Sequence, residues 1–324
     1  MRAAYYEKNG PARDVLSLGE IDTPYPGPGE VLVRLKTSGV NPSDVKSREG
    51  RTRKIAFPRV IPHSDGAGEI EAVGDGVAKS RVGERVWTWN GQWKRAFGTC
   101  ADYIVLPAAL AVKLPDHVSY EAGACLGIPA MTAFHAVEVA GPAKTVLVSG
   151  GAGGVGHYAI QFAKARGQTV ITTVSSDAKA KLAKEAGADH TIDYKRENVG
   201  ERVMAITNKA GVDAVIEMDF SGNAKLMPSV LHPRSKVVVY GNASGEAAIP
   251  TQFFLTNAIT IQYVFVYELT QAERDTAVAA INRMLESKTL KNNVALTLPL
   301  KDIVAAHEAV EQGKTLGNVV VSMT

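Results

Sequence analysis

Up to about Gly123, apolar and polar residues alternate in short bursts separated by turn clusters, the texture of a β-rich chain. Residues 31–36 read as a strand, entered from the Pro- and Gly-rich turn at 25–29. Residues 69–73 alternate polar and apolar, as a half-buried strand does, and Gly74, Asp75 and Gly76 supply the turn that follows. Another short strand is expected over 82–87. Strands this short predict a barrel or sandwich. Past Gly123 the rhythm lengthens. Apolar runs at 145–149, 169–174, 212–218 and 236–240 alternate with helical patterns at 157–166, 177–186 and 196–210, and 190–192 is short and extended. The three helical patterns close on Gly167, Gly187 and Gly211, the residue type that best caps a helix C-terminus. This alternation predicts a doubly wound α/β domain. A long amphipathic helix over 270–287, with Ala277, Ile281, Met284 and Leu285 on one face, then leads to a strand at 294–298, a helix at 302–312 and a last strand at 318–321.

Composition narrows the class. At 324 residues the chain suggests two domains, with 45% hydrophobic and 21% charged residues excluding a largely disordered protein. Thirty-six basic residues against 33 acidic ones give a net charge of +3, too balanced to point to nucleic acid. Cys100 and Cys125 are the only cysteines, which excludes a disulfide framework and a four-cysteine zinc site. The first residues lack an apolar signal core, and the apolar stretch 253–267 is broken by Asn257 and Gln262 and falls short of the ~20 residues that span a bilayer. A reduced, soluble, cytoplasmic protein is the expectation.

The chemistry is carried by Gly151, Ala152, Gly153, Gly154, Val155 and Gly156, which follow the expected strand 145–149 and open a helix. Gly151, Gly153 and Gly156 satisfy G-x-G-x-x-G, the pattern whose glycines turn the chain tightly, admit a pyrophosphate to the backbone and bring helix close to strand. The helix N-terminus offers N–H groups and a positive dipole end to the phosphates. NAD sites place an acidic residue at the end of the second strand to bind the ribose 2′-hydroxyl. Here that strand ends at Ser175 and Ser176, with Lys179 nearby, a set suited to a 2′-phosphate. The reading favours NADPH, while Asp177 leaves room for NADH.

The residues 39–44, 61–68 followed by Val73 and Gly74, 127–133, 148–156 and 313–317 give the chain a wider likeness. It resembles the zinc-free medium-chain dehydrogenases/reductases of the quinone oxidoreductase (zeta-crystallin-like) family over nearly its whole length. The resemblance implies an α/β protein with a GroES-like β-rich catalytic domain, residues 1–122 and 267–324, and a Rossmann doubly wound parallel-sheet domain, residues 123–266. It also implies that Asn41 and Thr132 lie near the nicotinamide and that Lys179 and Tyr194 approach the adenosine 2′-phosphate. Gly241, Asn242, Phe265, Val266, Tyr267 and Asn318 would line the rest of the cofactor site.

Zinc-dependent relatives take their catalytic ligands from positions that are Asn41, Ser64 and Asp65 here, so the resemblance implies no metal. His63 stands one position early, and on a strand it would face the other way, as a loop or domain-contact histidine. Without a metal, an acceptor that is already electrophilic fits best, a quinone or an α,β-unsaturated ketone, with the Asn41 amide as donor and hydride from NADPH. Relatives often carry a Tyr where this chain has Lys46. Lys46 either steadies a developing oxyanion or is a solvated surface residue. Trp87, Trp89 and Trp93 either roof an apolar cleft or pack a loop or subunit contact. NADPH-dependent quinone reduction is the first reading, enone or alkenal double-bond reduction the second, and a crystallin-like structural or RNA-binding role the third, with no nucleic acid as primary partner and no membrane. A homodimer or homotetramer is implied, with the strand region 259–266 as its candidate interface.

Overall fold

The computed structural model describes every residue except Lys314 and Thr324, so Lys314 of the 313–317 motif lies outside the described residues. The chain divides into two compact units, Met1–Pro129 with Val278–Thr324, and Ala130–Ala277. Their boundaries fall later than the 122/123 and 266/267 divisions that the resemblance implies. Local contacts explain why. Ala124 and Cys125 pack with Val320, and the Ile128 N–H donates to Asp65, tying 124–128 to the first unit. In the second unit His135 Nε2 lies 3.7 Å from Glu273 Oε1.

The first unit begins with β1 (Arg2–Tyr5), β2 (Ser17–Glu20), β3 (Glu30–Val40), β4 (Asp65–Val73), β5 (Arg85–Thr88), β6 (Tyr103–Pro107) and β7 (Ala111–Lys113). The second contains β8 (Thr145–Val148), β9 (Thr169–Val174), β10 (His190–Asp193), β11 (Val212–Glu217), β12 (Leu231–Val239) and β13 (Thr260–Tyr263). β14 (Val294–Pro299) and β15 (Asn318–Ser322) return to the first unit. Its main sheet runs β14-β15-β3-β4-β5-β7, with β6 also on β3, and β1 pairs with β2 separately. β3 outgrows the pattern read for 31–36 because its far half is buried on both faces and pairs with β4 on one side and β15 on the other. Around it, Val31, Val33, Leu35, Ile70, Val86, Ile104, Leu106 and Val321 form one core. The strand expected at 82–87 starts only at Arg85, because 79–81 form a 3₁₀ turn and Val82 is exposed.

In the second unit six parallel strands follow the order β10-β9-β8-β11-β12-β13. Counted along the chain this is 3-2-1-4-5-6, the Rossmann order, whose ligand crevice opens at the carboxyl ends of the strands. Leu147, Ile171, Val215 and Val237 fill its core from neighbouring strands, as buried parallel sheets require. The helix expected over 196–210 is shorter, Val199–Ile206. Asn198 caps it, its Oδ1 accepting from the Glu201 N–H at 3.2 Å, and Asn208 and Lys209 turn left-handed beyond it. The fold is therefore α/β, a GroES-like β unit and a Rossmann unit.

Candidate active site

In the second unit the glycine motif leaves β8 and enters helix Gly154–Ala165, one turn earlier than the pattern placed that helix. A Cβ on Gly151 would overlap Thr172 Oγ1 and come within 2.8 Å of Ile160 Cδ1, and one on Gly156 would overlap the Gly150 carbonyl and sit 2.9 Å from its carbon. These two glycines hold the helix against the sheet. Gly153 differs. It is exposed, and a Cβ there meets only Gly150 O, at 3.3 Å. Gly153 thus lies open at the helix N-terminus, the end whose N–H groups and dipole suit a phosphate. The loop is tied down beneath: the Gly150 N–H donates to Thr173 Oγ1 at 3.0 Å, and the Gly153 N–H to Gly150 O at 2.9 Å. Ser149 Oγ donates to buried Glu217 Oε2 at 2.7 Å, and the Asp219 N–H and Asn223 Nδ2 donate to Glu217 Oε1. The residues fit a dinucleotide.

Ser175 and Ser176 follow β9, both half-buried. Ser176 Oγ accepts from the Lys179 N–H at 3.3 Å and so caps helix Asp177–Glu185, leaving its own proton for donation. Tyr194 follows β10, half exposed, its N–H bonded to Val174 O at 3.1 Å. β9 and β10 are paired in register to their ends, Asp193 opposite Val174, so the turn after each lies beside the other. Gly241 and Asn242 follow β12, and Asn242 Oδ1 accepts from the Ser221 N–H at 2.7 Å. Phe265, Val266 and Tyr267 follow β13, with the Phe265 and Tyr267 ring centroids 5.3 Å apart. Thr132, buried, sits in the first turn of helix Met131–Ala140. Apart from Thr132, the residues expected around the cofactor in this unit gather at one end of its sheet.

In the first unit Asn41 ends β3's run and caps helix Pro42–Glu49, which starts on Pro42 as an N1 proline should. Its N–H donates to Asp44 Oδ2 at 2.8 Å, and its carboxamide Nδ2 donates to Asp65 Oδ2, also at 2.8 Å. The Ile128 N–H lies 2.9 Å from both Asp65 oxygens. All three side chains are buried. Burial pushes the Asp44 carboxyl up to about 7 against the pull of the Asn41 N–H and the Arg53 charge. Burial also holds the Asp65 carboxyl well above the usual range. Asp65 is a site residue missed by the sequence reading, which weighed that position only as a zinc ligand. Lys46 stands half-buried on the same helix. Asn318, at the start of β15, donates Nδ2 to Asn293 O at 3.0 Å within this unit.

His63 refines an expectation. It is a loop residue, as expected, and not on a strand, but the loop is no surface one: His63 precedes β4 with φ +77 and is fully buried. Its Nδ1 lies 2.8 Å from Ser38 Oγ and its Nε2 2.9 Å from His307 Nε2, with the rings stacked at 5.1 Å. Burial pushes His63 down to about 3, and burial with the neighbouring His63 and Arg48 pushes His307 well down. From Ser38 the chain of bonds continues to Thr99 Oγ1, which donates to Asp65 O at 2.6 Å. These histidines therefore support the backbone that carries Asp65. Of the tryptophans, Trp87 and Trp89 are buried in the unit, with Trp87 Nε1 3.3 Å from Asn282 Oδ1. Trp93 is half-buried, and Arg53 Cζ and Lys94 Nζ stand 5.2 and 5.5 Å from its ring centroid. Arg53 Nη2 donates to Gln92 Oε1.

The donors at the zinc positions do not fit zinc. They are an amide N–H group engaged by a carboxyl, a serine hydroxyl, and a carboxyl whose burial favours the neutral acid, whereas zinc takes deprotonated thiolate, imidazole or carboxylate. Burial raises both cysteine thiols far above their ordinary range. Among the described residues no three His, Cys, Asp or Glu side chains are grouped to hold a metal.

The chain has known relatives in sequence and fold. Residues 154–283 match the family described as zinc-binding dehydrogenase, and residues 27–116 the alcohol dehydrogenase GroES-like domain. The chain is 31% identical to a 2-haloacrylate reductase of Burkholderia sp, covering 99% of this chain and 98% of that protein. It is equally 31% identical to the quinone oxidoreductase of Homo sapiens, over 97% and 94% of the two chains. A mycobacterial protein solved in complex with NADPH superimposes with a TM-score of 0.88 at 31% identity, covering 99% of each chain.

Proposed function

Because the chain belongs to the quinone oxidoreductase family of medium-chain dehydrogenases/reductases, we propose that it is an NADPH-dependent oxidoreductase that reduces a quinone-like acceptor without zinc. The single observation that carries this reading is the glycine cradle: two glycines closed by packing and one, Gly153, open toward the helix N-terminus. Ser175, Ser176, Lys179 and Tyr194 are assigned to the 2′-phosphate, which needs donors and positive charge. Gly241, Asn242, Phe265, Val266 and Tyr267 are assigned to the remainder of the dinucleotide, and Thr132 to the nicotinamide. The bound cofactor supplies the hydride.

The protein's part is positioning and proton supply. An amide NH₂ has two donors; Asp65 holds one of Asn41's, fixing the carboxamide so that the other is aimed at the acceptor oxygen. Lys46 adds positive charge on the same helix, steadying a developing oxyanion. The exposed edge strand β13, with Tyr263 68% exposed, is the surface through which a homo-oligomer would form.

A second reading, reduction of the double bond of an α,β-unsaturated acceptor, is favoured by the relative named 2-haloacrylate reductase. A panel of quinones, enones, 2-haloacrylates and alcohols, each run with NADPH and with NADH, tests both. Turnover of quinones with NADPH supports the first reading and of haloacrylates the second; turnover of alcohols alone contradicts both.

A further inference from the structure

The 2′-phosphate reading leaves one residue unexplained. Asp177 lies in the same turn as Ser175 and Ser176, 86% exposed, and a bare carboxylate there would repel a 2′-phosphate and welcome a ribose hydroxyl. The structure places a partner on it. Arg196 Nη2 donates to Asp177 Oδ1 at 3.1 Å, and Arg196 Nε stands 3.0 Å from Asp193 Oδ2.

The reach follows from the sheet. β9 and β10 are parallel neighbours in register to their last residues, so the segment after β10 runs beside the segment after β9. The Arg196 N–H donates to Asp193 O at 2.9 Å, closing a turn that sends its side chain toward Asp177 rather than along the strand. The rigid guanidinium faces Asp193 with Nε and Asp177 with Nη2, two fixed donor positions that a single ammonium lacks. Arg196 sets one positive charge between Asp177 and Asp193, so that together with Lys179, two residues past Asp177, it balances the two carboxylates at the mouth of the turn.

The geometry points to Arg196 as a determinant of cofactor choice: it neutralises Asp177 so that the turn accepts a 2′-phosphate instead of reading a ribose 2′-hydroxyl. This rests on the NADPH reading above. Arg196 is a specificity residue acting through Asp177, and the coupling gives it a signature that a purely structural arginine lacks. With both side chains 60% or more exposed, the pair adds little to stability, so variants fold.

The test is equilibrium binding of NADPH and NADH to the cofactor-free protein, read by nicotinamide fluorescence, for wild type, Arg196→Gln, Asp177→Asn and the double variant. Wild type binds NADPH more tightly than NADH. Arg196→Gln weakens NADPH by about tenfold or more, as loss of a charge partner beside a doubly charged phosphate should, and leaves NADH equal or tighter. Adding Asp177→Asn restores most of the NADPH affinity. If wild type prefers NADPH and Arg196→Gln keeps that preference, or if the double variant binds NADPH no better than Arg196→Gln, the role of Arg196 is refuted while the NADPH reading stands. If wild type prefers NADH, the NADPH reading itself falls and the proposal with it.

Discussion

Alanine at each motif glycine separates packing from ligand binding, because the three positions face different neighbours. At Gly156 the new methyl overlaps the Gly150 carbonyl, and at Gly151 it overlaps Thr172 Oγ1 while pressing Ile160 Cδ1 at 2.8 Å. Ile160 can swing its terminal methyl aside, but the Gly150 carbonyl is backbone and Thr172 Oγ1 is held by its bond to Val148 O, so backbone or strand must shift. Overpacking of this kind costs ~1–3 kcal/mol. At ~2–4 °C for each kcal/mol in a domain of ~150–250 residues, that lowers the melting temperature by ~2–12 °C. At Gly153 the nearest atom is 3.3 Å away, the backbone is extended at φ −75, ψ 165, and alanine costs under ~1 kcal/mol as a poorer N-cap. Its methyl instead stands where the pyrophosphate comes closest, and a loss of about tenfold in NADPH affinity, ~1.4 kcal/mol, is expected. Thermal unfolding without cofactor and equilibrium NADPH binding, measured on all three variants, check this. The reasoning fails if Gly153→Ala melts as early as Gly156→Ala while binding NADPH like wild type.

Three further outcomes follow. Lys179→Ala should weaken NADPH by ~10- to 100-fold and hardly change NADH, measured by direct titration; equal losses for both would assign Lys179 to something other than the phosphate. The buried Asp44 carboxyl has its pKa raised to about 7, so the folded state holds a proton that the unfolded state has released, and Asp44's contribution is present at low pH and lost as pH rises toward 7. Asp44→Asn should therefore gain stability relative to wild type between pH ~4 and ~7, by ~1.4 kcal/mol per pH unit in denaturant unfolding, and a flat difference would show that Asp44 is ionised in the fold. Asp65→Ala strips the partner from the Asn41 amide and the Ile128 N–H, so it should lower kcat with a smaller change in NADPH affinity and cost ~2–6 kcal/mol of stability; unchanged kcat would remove Asn41 positioning from the account.

The Rossmann unit was legible because its signals are local. The run at 145–149, the glycines behind it and the C-terminal glycines of the helices each act within a few residues, and β9 fell on the 169–174 expected. Features that depend on distant partners are not legible locally. β3 extends to Val40 because β4 and β15 pair with it there, which no window over 31–36 contains. His63 is the loop residue the sequence suggests, but its burial and its partner His307, far along the chain, are tertiary and lie outside any local window. Asp65 was visible in the sequence but weighed for the wrong chemistry. Arg196 lay two residues from Tyr194, and only the pairing of β9 with β10 brings it to Asp177.

The central claim, hydride transfer from NADPH to an electrophilic acceptor with no metal in the path, is tested most directly on enzyme dialysed against a strong chelator and assayed for metal. NADPH deuterated on the transferring face is then mixed with a quinone under single-turnover conditions. The account expects metal-stripped and untreated enzyme to oxidise NADPH at the same rate, with that rate slowed by deuterium. Loss of turnover on stripping, restored by added zinc, would contradict it.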